Sequence, residues 1–169
     1  MTWVLLAYRL PREPSTPRIA LWRRLRRLGA LQLVDGLVTL PLDERNRERF
    51  DWLAEEIREA GGEASIWLSE PATKAQEREL VHRMRALAKA DYRTVEEAAR
   101  AARRGDRRAL ARLRRALRRV ESRDYFRVSE RARAERAIER LALGEPPGSP
   151  SPPSLVRFAD RPHSRPVHA

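Results

Sequence analysis

The chain carries 36 Lys and Arg against 24 Asp and Glu over 169 residues, a formal net charge of +12, and it has no cysteine. Disulfides, zinc–thiolate centres and thiol chemistry are thereby excluded, and the length suits one globular domain with an appendage. The charge is unevenly divided: residues 1–71 hold 11 basic and 11 acidic side chains, residues 72–145 hold 22 and 12, and residues 146–169 hold 3 and 1.

Residues 2–8, TWVLLAY, are branched and aromatic, as a buried strand requires. Arg9 and Pro11 cut the apolar run short, so it is too brief for a signal peptide or membrane span, and a cytoplasmic location is expected. Pro11, Pro14 and Pro17 stiffen a loop. Ser15 or Thr16 is then a natural N-cap, with Pro17 at the first helical position and Gly29 closing the helix after Leu28. ALQLV, Asp35-Gly36 and LVTLP read as two strands around a hairpin turn. Asp43 caps a second helix reaching Ala60, which Gly61-Gly62 end, and EASIWLS is the fourth strand. The order βαββαβ is ferredoxin-like and occupies residues 1–71.

From Pro71 the apolar period becomes helical. One helix is expected over about 72–89. A capping box, Thr94-x-x-Glu97, starts another that stops at Gly105. Asp106 caps a third, whose Leu110, Leu113, Leu117 and Val120 form a packing seam. Ser129 caps a fourth with Ala134, Ala137, Ile138 and Leu141, and the last two fold back on each other across Arg123-Asp124-Tyr125-Phe126. The fold class is thus α+β: a ferredoxin-like half (1–71), an arginine-rich helical extension packed on it (72–143), and a Pro/Ser-rich tail (144–169) of disordered composition.

Two basic stretches are candidates for holding a polyanion. On the first helix, Leu21, Trp22, Leu25 and Leu28 form a core-facing arc. Arg23, Arg24 and Arg27 stand opposite, which describes either a solvated face or a phosphate-contacting one. Denser is the stretch holding Arg103, Arg104, Arg107, Arg108, Arg112, Arg114, Arg115, Arg118 and Arg119, in which Asp106 is the one acid. Pairs such as Arg108/Arg112 and Arg115/Arg119 repel at i,i+4, and a polyanion would relieve that repulsion. An exposed helix in an arginine-rich proteome fits the same pattern; only Lys74 and Lys89 are lysines, a bias that GC-rich coding also produces.

Catalytic constellations are lacking. His82, His163 and His168 are isolated, Glu55, Glu56 and Glu59 decorate one helix surface, and no phosphate-binding glycine loop occurs. Neither an enzyme, a metal nor a cofactor is expected. Trp52 leaves the arc of Phe50, Leu53, Ala54, Ile57 and Ala60, so it either marks an interface with a partner or second copy, or covers the helical extension.

Several blocks together resemble the N-terminal domain of the ChrB chromate-resistance regulators. These are Trp3-Val4-Leu5-Leu6-Ala7-Tyr8-Arg9-Leu10-Pro11, Trp22-Arg23-Arg24-Leu25-x-x-Leu28-Gly29-Ala30, Pro41, Trp52-Leu53-x-x-Glu56-Ile57-x-x-x-Gly61-Gly62-Glu63-Ala64 and Arg123-Asp124-Tyr125-Phe126. The likeness spans about residues 2–143. The Trp-Arg-Arg-Leu block and hairpin are also similar to the middle domain of PaaX-type repressors, which in turn resembles small CRISPR-adaptation endoribonucleases. The resemblance implies chromate-responsive transcriptional control by a homodimer. Full ChrB proteins carry a further C-terminal domain, so a separately encoded protein of that type is an expected partner. The nuclease relatives place an acidic residue after the first strand; Tyr8-Arg9-Leu10 stands here, so metal-dependent cleavage is not expected. The leading expectation is a DNA-phosphate-binding regulator that dimerises through its ferredoxin-like half. The alternatives are a protein-interaction module without DNA contact, or an oxyanion-binding accessory module.

Overall fold

A computed structural model describes residues 1–144. The expectation for the tail falls outside the described residues, apart from Gly144. Nine elements follow in order: β1 (Trp3–Arg9), α1 (Thr16–Leu28), β2 (Leu31–Val34), β3 (Leu37–Pro41), α2 (Glu44–Glu59), β4 (Glu63–Ser69), α3 (Lys74–Ala101), α4 (Arg107–Glu121) and α5 (Glu130–Leu143). The strands form one antiparallel sheet in the order β2-β3-β1-β4, the ferredoxin-like arrangement the sequence predicts.

Alternation along the strands sorts residues to two faces. Val4 and Leu6 of β1 pair with Leu40 and Val38 of β3, and these four bury with Leu21 and Leu25 of α1 and Phe50, Leu53, Ala54 and Ile57 of α2. On the other face Trp3 and Leu5 turn toward Leu80 and its neighbours on α3, and the Trp3 ring lies 6.3 Å from that of Phe126. Residues Asp35-Gly36 make the hairpin. Gly36 is obligatory there: its φ is 74°, and a Cβ would stand 2.5 Å from the Tyr8 carbonyl oxygen. The Asp43 carboxylate caps α2 by accepting from the Asn46 amide.

Three expectations are corrected. Trp22 is not in the core; it is 52% exposed, its ring beneath the Arg26 guanidinium at 4.8 Å. It occupies the edge of the apolar arc, where nothing covers the helix, and stacks on the cation instead. Ser15 occupies the N-cap of α1, and Ser129 that of α5, without a side-chain capping bond. Finally, the two helices expected over 72–105 are one. No Gly or Pro interrupts residues 89–94, and Met84, Ala88, Tyr92, Val95 and Ala99 continue a single buried seam. The Thr94 hydroxyl turns back to the Ala90 carbonyl at 3.0 Å rather than capping a new start. The single helix is capped by Thr73, whose hydroxyl accepts from the Gln76 amide.

A second core joins α3, α4 and α5 through Tyr92, Val95, Leu113, Val120, Ala134, Ile138 and Leu141. Helix α5 packs more extensively on α3 than on α4. Loop 122–129 fastens this core to the first. Arg123 donates to the Arg26 carbonyl at the end of α1 and forms an ion pair with Asp91 of α3 at 2.7 Å. Asp124 accepts from the Tyr92 hydroxyl and the Val128 amide. Desolvation, then the Asp124 charge, pushes the Tyr92 phenol far above its ordinary value, so it remains a donor at any physiological pH.

Candidate nucleic-acid interface

The Asp106 carboxylate starts α4 by accepting from the Ala109 amide at 2.9 Å. At 100° per residue, Ala109, Leu113 and Val120 define the side turned to α3 and α5, and Leu110, Ala116 and Leu117 flank it. The remaining arc, roughly 160° wide, is filled by Arg107, Arg108, Arg112, Arg114, Arg115, Arg118 and Arg119 with Ala111 among them. Those seven are all exposed, as are Arg103 and Arg104 in the turn before the helix. The outer surface of α4, about 22 Å long, is therefore arginine over nearly its whole breadth.

What distinguishes this face is the absence of acids. Among the described residues none of the nine arginines has an ion-pair partner, whereas Lys89, Arg93, Arg100, Arg123, Arg131 and Arg133 of the extension do. Arg100 pairs with Glu96, and Arg131 pairs with both Glu121 and Glu135. Glu130, only 4% exposed, draws in Lys89, Arg93 and Arg133. Burial alone would raise its carboxyl. Its own backbone N–H, Lys89, Ser129 and Arg133 together overcome that and hold it below the ordinary carboxylate value. Glu130 thus joins α3 to α5 and Glu121 joins α4 to α5, while the arginine face of α4 is left without an acid partner. Arg107 and Arg108 also sit at the positive end of the helix dipole, adding to the local potential.

The α1 candidates divide. Arg24 forms an ion pair with Glu56 of α2, which commits it to holding two helices together. Arg23 and Arg27 are exposed and have no carboxylate partner among the described residues. They lie over the first core, on a different helix from the α4 face.

Trp52 stands 68% exposed on α2, so it does not cover the helical extension. Among the described residues no three His, Asp or Glu side chains gather as a metal-binding group. No described helix is long and apolar enough to cross a membrane.

Residues 123–126 read from sequence as a turn between two helices. Their role in joining the cores was not visible there, because their partners lie far off in the chain: Asp91 and Tyr92 on α3, and the Arg26 and Leu28 carbonyls and Gly29 at the end of α1. A Cβ on Gly29, whose φ is 71°, would stand 2.9 Å from the Arg123 Cβ.

Residues 18–100 match the family model described as Protein ChrB, N-terminal. No curated protein and no solved structure gives a significant match.

Proposed function

The chain belongs to the ChrB N-terminal family through residues 18–100, and from that premise we propose that it is a DNA-holding regulatory protein of the chromate-resistance type. Duplex DNA is gripped by its phosphates, through the nine arginines of α4 and the turn before it, with Arg23 and Arg27 assisting. The observation that carries this reading is that nine exposed arginines gather on one helix face and the turn before it, none of them with an ion-pair partner among the described residues. A polyanion supplies the missing countercharge, and release of its condensed counterions drives association. The contacts proposed are to phosphate oxygens, of the positioning kind and indifferent to sequence.

A protein with its arginines spread over a convex helix is poorly shaped to enclose one small oxyanion, which needs converging donors. The geometry therefore favours an extended anion over the oxyanion-module alternative. The open ferredoxin-like half, with Trp52 standing clear of the surface, supports pairing with a second copy through that half.

Affinity for a duplex of arbitrary sequence, measured across a salt series, tests the reading. With five or more phosphates neutralised, log K falls against log salt with a slope steeper than about −4. A flat series contradicts it.

A further inference from the structure

A second cationic surface lies on α3, made of residues outside the arginine run. Lys74, Arg78, His82, Arg85 and Lys89 follow one another at spacings of four, four, three and four, so they stand in a single file along one side of the helix. Together with Val81 and Ala86 they line an open groove of about 620 Å³. The file is about 22 Å long, and its members are about 4.5–6 Å apart along the axis. That interval lies between one and two phosphate steps of a DNA strand, at about 3.4 Å each.

The balance of charge on this file is positive. The one acid lining the groove, Glu77, is occupied by the amino group of Met1 at 2.8 Å and by Lys74 at 3.3 Å. Those two hydrogen bonds, the Met1 one foremost, hold its carboxyl below the ordinary value. Lys89 reaches Glu130 only at 3.8 Å, and that carboxylate is shared with Arg93 and Arg133. Arg78 and His82 have no ion-pair partner among the described residues. The Arg85 guanidinium lies over the Phe126 ring at 5.8 Å, and the residue is exposed. Both lysines of a chain that otherwise uses 34 arginines fall on this file. Lysine presents a compact point charge suited to a phosphate oxygen without bidentate geometry.

We infer that this file on α3 is a second duplex-contacting surface, taking phosphate oxygens independently of α4. The inference rests on the duplex-binding reading above and adds to it a set of contacts on a different helix.

The salt dependence of duplex binding separates the two. The variant Lys74→Gln/Arg78→Gln, and separately Arg78→Glu, is measured beside the wild type and beside Arg114→Gln/Arg115→Gln/Arg118→Gln/Arg119→Gln. Arg78 makes no intramolecular pair, so its reversal leaves the fold intact, which an unchanged melting temperature verifies. For every phosphate no longer neutralised, the slope becomes shallower by about 0.9. The α3 double variant is expected to flatten the slope by about 1–2 and to weaken binding several-fold at low salt, with α4 intact. Slopes and affinities equal to wild type for both α3 variants, while the α4 variant is weakened, overturn this inference alone. A wild type that binds no duplex at any salt overturns it together with the reading on which it rests.

Discussion

The Tyr125 hydroxyl stands 2.7 Å from the carbonyl oxygen of Leu28, across 97 residues of chain, and donates to it. The carbonyls at a helix end have no intrahelical partner, and loop 122–129 supplies them: Arg123 reaches Arg26 and Tyr125 reaches Leu28. Burial raises the Tyr125 phenol above its ordinary value, which keeps it a donor. One helix end thus links the ferredoxin-like half to the arginine-rich extension.

Tyr125→Phe removes this bond and leaves the Leu28 carbonyl short of a partner. The expected loss is about 1–1.5 kcal/mol, read as a lower urea midpoint with unchanged slope. In melting temperature that is about 2–6 °C. A variant indistinguishable from wild type would show that the bond does not join the halves energetically.

Gly29→Ala probes the same joint from the α1 side. A left-handed alanine costs about 1–2 kcal/mol, and the Cβ also presses on Arg123, so a loss of about 2–3 kcal/mol is expected. Combining it with Arg123→Gly, which removes the Cβ that stands 2.9 Å away, should give less than the sum of the two single losses.

Much of this was legible in the sequence, and the failures share one cause. Alternating strands, the Asp-Gly hairpin, the Asp43 and Asp106 caps and the closing Gly29 are local signals, and the fold follows them. Thr94 and Trp22 misled because a capping pattern and a helical arc are also local, whereas what decided them was tertiary. A continuous seam through Tyr92 kept α3 whole, and the lack of a neighbour left Trp22 outside. The α4 face was legible because arginine needs no partner to be recognised as exposed. Its freedom from ion pairs was not, since that depends on where every acid of the extension went. The spacing of the file on α3 lies wholly within the helix expected over about 72–89, but the pairing of Glu77 with Met1 that leaves the file positive is a tertiary contact and was not readable.

Glu130 makes stability depend on acid pH in a definite sense. Its folded pKa is lower than the unfolded value of about 4.3, so its contribution is fully present above that pH and is lost as pH falls through the folded value. Unfolding free energy measured between about pH 6 and pH 3 should fall less steeply for Glu130→Gln than for wild type. The substitution itself should cost about 1–2 kcal/mol at neutral pH, because it removes the carboxylate that Lys89, Arg93 and Arg133 share. Equal pH slopes would remove Glu130 as the source.

Trp52 addresses the second copy. If two chains pair through the ferredoxin-like half, sedimentation equilibrium should give a dimer for wild type and a monomer for Trp52→Ala. Since the side chain is 68% exposed, the melting temperature of the monomer should not betray a damaged core. A dimer of equal strength in the variant excludes Trp52 from the interface.

The most direct test of the account is the duplex affinity of Arg114→Glu/Arg115→Glu/Arg118→Glu/Arg119→Glu, measured at two salt concentrations on two duplexes of unrelated sequence. Four exposed, unpaired arginines are reversed without touching either core. The account predicts binding at least about tenfold weaker on both duplexes alike, with a visibly shallower salt dependence. Affinity unchanged from wild type, or lost on one duplex only, would contradict it.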